Sequence, residues 1–351
     1  MPSIPKPSAK HAGLPPNKLG LTMRDYEGAM STLCAGCGHD SITAALIRAL
    51  YEQSISPETL AKMSGIGCSS KTPTYFASGA HGFNAVHGRM PAVATGANAA
   101  NRELIFVGIS GDGDSLSIGL GQMAHAIRRN VRVLYIIENN GVYGLTKGQF
   151  SASADVGSKL KKGEVNRMAP IDPVMLGLSI GATFIARGFS GDKEQLVPIL
   201  KAGLAHRGLA FVDVISPCVT FNDHEGSTKS YMHTRRNQAE VTHTDFVPPA
   251  AEITAQIGKA GETMVQMHDG SWVKFTALPE GYDPTDRGKV FSYLQEHQAK
   301  GVVPTGLLFL DEEAGDMHQI NNSSETPLVK VPYEKLCPGS KELDKLMEEF
   351  R

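Results

Sequence analysis

The stretch Leu104-Ile-Phe-Val-Gly-Ile-Ser-Gly-Asp-Gly-Asp114, with its continuation Val131-Arg-Val-Leu-Tyr-Ile-Ile-Glu-Asn-Asn140, decides the fold. An apolar run that ends in turn residues reads as a buried strand. Between the two runs Leu116, Leu120, Met123, Ala124 and Ile127 recur at helical spacing, so a helix is expected over 115–129. Arg128 and Arg129 suit the negative end of its dipole, and Asn130 stops it. Two buried strands joined by a helix make a βαβ unit, whose strands run parallel with their C-terminal ends side by side. Asp112 and Asn140, distant in the chain, then stand at neighbouring strand ends, the edge at which open parallel sheets bind ligands. Gly111 and Gly113 let the backbone approach a ligand closely. The helix start near Ser115 presents free N–H groups suited to phosphate. A carboxylate and an amide oxygen facing that phosphate are hard ligands for Mg2+ or Ca2+. The same two side chains also fit a plainer role, hydrogen-bonding within their own turns.

Composition narrows the function. The chain has 351 residues, a formal net charge of −2 and 20% charged residues. That length can bury a full α/β core with an added lobe. The charge balance excludes a nucleic-acid surface. No apolar stretch of about 18 residues is present, so no membrane span is expected. The N-terminus lacks the basic-then-apolar pattern of a signal peptide, and a cytoplasmic location is expected. Five cysteines, an odd number, argue against a disulfide framework.

Three regions are expected: an N-terminal arm over 1–30, an α/β domain over 31–220 and a C-terminal extension over 221–351 packed on the core. The fold class expected is α/β, an open, mainly parallel twisted sheet with helices on both faces. Residues 41–51 read as a helix, 60–67 as a short strand, and 87–89 open a helix that runs to about residue 100. Residues 141–169 form a long Gly- and Ser-rich loop; its Lys159, Lys161 and Lys162 read as a solvated face. A helix over 172–180, a strand over 183–186, a helix over 192–206 and a strand over 210–216 follow. Beyond these come a helical segment around 249–267, a strand over 271–277, a helix over 287–300 and an amphipathic stretch over 340–350.

The cysteines need their own account. Cys34 and Cys37 form a CxxC in the turn before the first helix. Cys68 follows a strand and Cys218 ends another, while Cys337 stands apart in the tail and reads as a free thiol. In a parallel sheet Cys68 and Cys218 lie at the same edge as Asp112, within reach of the CxxC. Four converging thiolates bind an Fe–S cluster or zinc, and spacing alone does not choose. Placement beside the expected ligand edge favours a redox cluster, since a structural zinc has no reason to be there. Buried structural thiols are the plainer alternative.

The run of strand, Gly-Asp-Gly, helix, strand and Asn-Asn resembles the diphosphate motif of the thiamine diphosphate enzymes. Taken with Cys34-Ala-Gly-Cys-Gly-His39, Ser64-Gly-Ile-Gly-Cys-Ser-Ser70, His87-Gly-Arg89, Glu138-Asn-Asn-Gly-Val-Tyr-Gly-Leu-Thr-Lys-Gly-Gln149 and Ser216-Pro-Cys218, the chain resembles the β subunits of the 2-oxoacid:ferredoxin oxidoreductases over about residues 30–220. The resemblance implies oxidative decarboxylation of a 2-oxoacid with coenzyme A, giving acyl-CoA, CO2 and electrons that pass through a [4Fe–4S] cluster to ferredoxin. It implies Mg2+ held by Asp112, Asn140 and the carbonyl of Val142, and cluster ligands Cys34, Cys37, Cys68 and Cys218. It places thiamine diphosphate against Ile66, Gly67, Cys68, Ser69, His87, Gly88, Gly111, Gly113, Asp114, Val142, Gly144, Leu145 and Thr146. Lys71 and Lys147 match substrate-pocket positions, where a distal carboxylate finds a cation. Thr146-Lys-Gly-Gln149 leans towards the 2-oxoglutarate group. The carboxylate that activates the cofactor's aminopyrimidine ring comes, in that family, from an α subunit, so activity is expected only in an α/β complex. Two other readings remain open: a non-oxidative thiamine diphosphate decarboxylase or carboligase subunit, and a zinc-stabilised subunit without catalysis.

Overall fold

A computed structural model describes residues 13–159, 163–249, 261–337 and 339–351. Its strands are β1 (Leu60–Ser64), β2 (His81–Asn84), β3 (Ile105–Gly111), β4 (Val133–Asn139), β5 (Val142–Tyr143), β6 (Gln149–Phe150), β7 (Phe184–Phe189), β8 (Leu209–Ile215), β9 (Gln238–Glu240), β10 (His243–Val247), β11 (Thr263–Gln266), β12 (Trp272–Thr276) and β13 (Val303–Leu310). The helices that matter are α1 (Gly38–Glu52), α2 (Met90–Ala100), α3 (Leu120–Arg128), α4 (Pro173–Ser179), α5 (Lys193–Ala205), α6 (Tyr231–Asn237) and α7 (Arg287–Ala299). Eight strands form one sheet in the order β2-β1-β3-β4-β8-β7-β13-β9. From β2 to β7 every pairing is parallel, and β13 then runs antiparallel to β7. The expected α/β class and its mainly parallel sheet are present.

The central strands are apolar because both of their faces are covered. Along β4, Leu134 and Ile136 join the core that α1 and α5 close. Val133, Tyr135 and Ile137 alternate into the other core, under α2, α3, α4 and α7. Each such side chain, fully buried, contributes about 1.5–3 kcal/mol relative to exposure. This two-sided burial holds the C-terminal strand ends in register, with Gly111 opposite Glu138.

Four differences from the sequence reading have physical causes. The helix expected over 115–129 is a π-helical turn, Gly113–Ile118, followed by α3. Gly119 N–H donates to the Asp114 carbonyl at 2.8 Å, which widens the turn. The edge strand β2 is exposed throughout, so it lacks the apolar alternation that marks a strand. β13 contains Pro304 and Gly306, which speak against a strand. Gly306 is required there: at φ 121° its position leaves a Cβ 2.3 Å from Thr242 Oγ1. Of the helical segment expected around 249–267, residues 263–266 form β11, in a small antiparallel sheet of order β10-β12-β11, and 250–260 lie outside the described residues.

The extension expected to begin at residue 221 does not merely rest on the core, since β13 and β9 are sewn into the main sheet. The first 12 residues of the expected arm, and Lys161 and Lys162 of the lysine cluster, also lie outside the described residues. The stretch 340–350 forms a helix, Ser340–Glu348, with no buried residue. Among the described residues no helix is long and apolar enough to cross a membrane.

Candidate active site

Asp112 follows the last residue of β3 and is 1% exposed. Its Oδ2 accepts from the Gly141 N–H at 3.0 Å, from Ser153 Oγ at 2.5 Å and from Ser151 Oγ. Among the described residues no hydrogen bond goes to Oδ1. Burial raises the carboxyl's pKa, and the hydrogen bonds from Ser151 and Ser153 offset only part of that rise. Asn140, one residue past β4, accepts the Val142 N–H on its Oδ1 at 3.1 Å. The intervening Gly141 sits at φ 76°, where a Cβ would meet Asn222 Nδ2 at 2.7 Å. Asn222 Nδ2 in turn donates to the Asn140 carbonyl at 2.8 Å, fixing the loop. A buried carboxylate with one oxygen engaged and the other open, beside an amide oxygen, suits a hard divalent cation.

These residues line one cleft together with Ile66, Gly67, Cys68, Ser69, His87, Gly111, Gly113, Asp114, Val142, Gly144, Leu145 and Thr146. The structure therefore gathers nearly every residue singled out for the cofactor. Gly88 is the exception. It is not in the cleft wall, and its N–H donates to Asp114 Oδ1 at 2.8 Å. Asp114 lines the cleft, and its side chain faces inward. Its carboxylate also accepts from Ser110 Oγ at 2.7 Å and from the Ile66 N–H at 3.3 Å. The side chain ties three segments together, and a Cβ on Gly65 would stand 1.8 Å from its Oδ2. Only its backbone is left to serve a diphosphate.

His39, Glu138 and Tyr143 also line the cleft and were not singled out from the sequence. Tyr143 donates to the Gly113 carbonyl at 3.0 Å, and its ring lies 2.5 Å from where a Cβ on Gly113 would be. Glu138 is sealed from solvent, and Thr72 Oγ1 contacts its two oxygens at 3.1 and 3.0 Å. Burial pushes its pKa well up. His39 Nδ1 lies 2.6 Å from Ser216 Oγ, and burial lowers its pKa to about 4. An acid ending an otherwise apolar strand was the available signal for Glu138. Tyr143 had none.

Cys34, Cys37, Cys68 and Cys218 line a second cavity. The Cys37 N–H donates to the Cys34 carbonyl at 3.0 Å, closing the CxxC turn onto α1. The Gly38 N–H then donates to the Pro217 carbonyl at 3.3 Å and draws that turn to the Cys218 loop. A Cβ on Gly144 would meet Cys68 Sγ at 3.3 Å and Cys218 Sγ at 3.8 Å. Burial pushes the Cys37 thiol up to about 12 and raises Cys68, so their thiolates need a metal to persist. Among the described residues no three His, Cys, Asp or Glu side chains close on a single ion. Four thiols around one cavity fit an iron–sulfur cluster or zinc. Cys337 is exposed and free. The two lysines part company: Lys71 lines the thiol cavity, whereas Lys147 is exposed and lines neither space.

Residues 65–214 match the family described as thiamine pyrophosphate enzyme, C-terminal TPP binding domain. The chain is 42% identical over 203 residues to the 2-oxoacid:ferredoxin oxidoreductase subunit beta of Saccharolobus solfataricus, a match spanning 58% of this chain and 66% of that one. It is 35% identical over 189 residues to the 2-oxoglutarate synthase subunit KorB of Methanocaldococcus jannaschii, covering 54% of this chain and 69% of that one. The chain belongs to the 2-oxoacid:ferredoxin oxidoreductase β-subunit family. Among solved structures, a chain of the 2-oxoglutarate:ferredoxin oxidoreductase from Magnetococcus marinus, described with 2-oxoglutarate, coenzyme A and succinyl-CoA bound, superposes with a TM-score of 0.71 at 27% identity. That likeness covers 93% of this chain and 98% of the other, more of this chain than either sequence match spans.

The matched domain contains Asp112, Asn140 and Cys68, while Cys34, Cys37 and Cys218 lie outside it. The chain spans just under two thirds of the length of the Saccharolobus subunit.

Proposed function

We propose that the chain is the cofactor-holding β subunit of a coenzyme A-dependent 2-oxoacid:ferredoxin oxidoreductase, with 2-oxoglutarate as substrate, working with an α subunit. One observation carries the reading: the Asp112 cleft and the four-thiol cavity share a wall, with His39, Cys68, Asn140 and Gly144 lining both. An electron acceptor of sulfur-bound iron beside a decarboxylating cofactor is what that adjacency suits. The bound substrates of the Magnetococcus protein support 2-oxoglutarate and coenzyme A here.

In this reading Asp112 Oδ1, Asn140 Oδ1 and the Val142 carbonyl hold Mg2+, and the backbone at Gly111 and Gly113 receives the diphosphate. Thiamine diphosphate, when bound, supplies the electron sink for loss of CO2 from a 2-oxoacid. Tyr143 holds the Gly113 turn in place. The burial of His39 and Glu138 keeps the wall between the two spaces dry and uncharged. Cys34, Cys37, Cys68 and Cys218 would hold a [4Fe–4S] cluster, which would supply one-electron transfer towards ferredoxin. Thr72 Oγ1, 3.1 and 3.0 Å from the two Glu138 oxygens, holds that carboxyl in the wall, and the ring-activating carboxylate is assigned to the α subunit. A carboligase gives the thiol cavity no task, and a structural zinc has no reason to sit beside the cofactor cleft.

Anaerobic purification with its co-purifying subunit tests the proposal. About four irons per chain, bound thiamine diphosphate and coenzyme A-dependent dye reduction with 2-oxoglutarate are expected. Colourless protein carrying zinc, or turnover by this chain alone, would overturn it.

A further inference from the structure

Behind Asp112 lies a buried polar chain that the proposed reaction does not use. Ser153 Oγ lies 2.5 Å from Asp112 Oδ2 and 2.9 Å from Asn139 Oδ1. Asn139 Nδ2 donates to Asp213 Oδ1 at 2.9 Å, which also fixes which way the amide points. Arg187 Nε donates to Asp213 Oδ2 at 3.0 Å, and its Nη2 donates to Asp172 Oδ1 at 2.6 Å. Asp172 in turn caps α4 by accepting from Val174 N at 2.8 Å and Met175 N at 3.0 Å. Asp112, Ser153, Asn139, Asp213 and Arg187 are all buried. Such a chain, which beyond Asp112 lines a cavity of about 380 Å³, is held in one arrangement, because any break leaves a buried polar group without its partner.

We infer that Ser151 and Ser153 are positioning residues for the divalent cation, fixing Asp112 so that Oδ2 is consumed by hydroxyls and Oδ1 faces the metal. This rests on the proposed Asp112–Asn140 metal site. A hydroxyl has one proton, so Ser153 alone cannot serve both Asp112 and Asn139. Ser151, which also contacts Asp112 Oδ2 and lies 3.2 Å from Ser153 Oγ, supplies the second donor. With both present, the carboxylate cannot rotate without leaving a buried hydroxyl unpaired. The Asn139–Asp213–Arg187 chain anchors Ser153 to three strands of the sheet, β4, β8 and β7. Partners that orient a metal ligand in this way set affinity almost as strongly as the ligand itself.

The test is the affinity for Mn2+, standing in for Mg2+, in the presence of thiamine diphosphate. It is read from the resonance of free Mn2+ on the protein isolated with its co-purifying subunit. Ser153→Ala and Ser151→Ala should each weaken Mn2+ binding about 10–100-fold, and Ser153→Thr, which keeps the hydroxyl, should restore it. Ser117→Ala is the control for simple loosening of the loop. Ser117 Oγ accepts the Ala152 N–H at 3.0 Å, so it holds the same segment without touching Asp112. Mn2+ binding unchanged by that control, with the alanine variants weakened, supports positioning. Serine variants indistinguishable from wild type, or a Ser117→Ala loss as large as theirs, overturn the inference while leaving the metal site standing. Wild type that binds no Mn2+ with thiamine diphosphate overturns the metal site and the inference together.

Discussion

His39 Nδ1 stands 3.5 Å from Glu138 Oε2, both side chains sealed from solvent in the cleft wall. Burial acts on the two in opposite directions, raising the acid's pKa and lowering the base's, so both favour the neutral form. Each finds its hydrogen-bond partner elsewhere, His39 in Ser216 and Glu138 in Thr72.

The first prediction concerns Glu138. A folded-state pKa raised above the unfolded value of 4.5 means stability fully present below that pH and lost as pH rises. Glu138→Gln keeps the shape and removes the ionisation. Urea unfolding across pH should show little difference from wild type in acid and a growing advantage for the variant towards pH 8. A constant offset at every pH would contradict the neutral-wall account.

Glu312 behaves in the opposite sense. Burial alone would raise its pKa, but the hydrogen bond to His206, with His268 3.6 Å away, brings it down to about 2. Its contribution is therefore present above the unfolded pKa of 4.5 and is lost as pH falls through about 2. At about 1.4 kcal/mol per pKa unit, that is on the order of 3 kcal/mol. Glu312→Gln should flatten the acid limb of the stability curve. Equal acid sensitivity in both proteins would sink this assignment.

The cysteines divide by place. Cys37→Ser or Cys218→Ser should cost the protein its iron and its broad visible absorption while thiamine diphosphate still binds. Cys337→Ser should change neither, because that thiol is exposed and far from the cavity in sequence. Iron and cofactor analysis of the three variants decides it, and full iron in Cys218→Ser would remove Cys218 from the ligand set.

The two lysines should separate in kinetics. Lys71 lines the thiol cavity, which shares a wall with the cofactor cleft, and its long side chain would have to meet a distal carboxylate at that wall. Lys71→Ala should raise KM for 2-oxoglutarate more than for pyruvate, by about tenfold for the loss of one charged hydrogen bond. Lys147→Ala, at an exposed position with φ 80°, should stay near wild type. A reversed ranking would move the substrate pocket.

Much of the site was legible because it sits on local patterns. Apolar runs at strand length, a helical interval and glycines at the turn determine β3, α3 and β4 without distant information. Asp112 and Asn140 fall at the ends of β3 and β4, and the cysteine turns at the ends of β1, β8 and the start of α1, so element order alone brings them to one edge. β13 was not legible, because Pro304 and Gly306 mask it and only the approach of Thr242 explains the glycine.

What the sequence alone determined is the alternation of buried strands and helices, and with it the edge where ligand-binding residues gather. Tertiary structure alone decided the task of each polar side chain there. It turned the Asp114 carboxylate inward to bind Gly88 and Ile66, left Lys147 in solvent, and set Ser153 against Asp112. The physical reason is that periodicity reports which face of an element is dry, whereas a buried hydrogen bond depends on a partner far away in the chain.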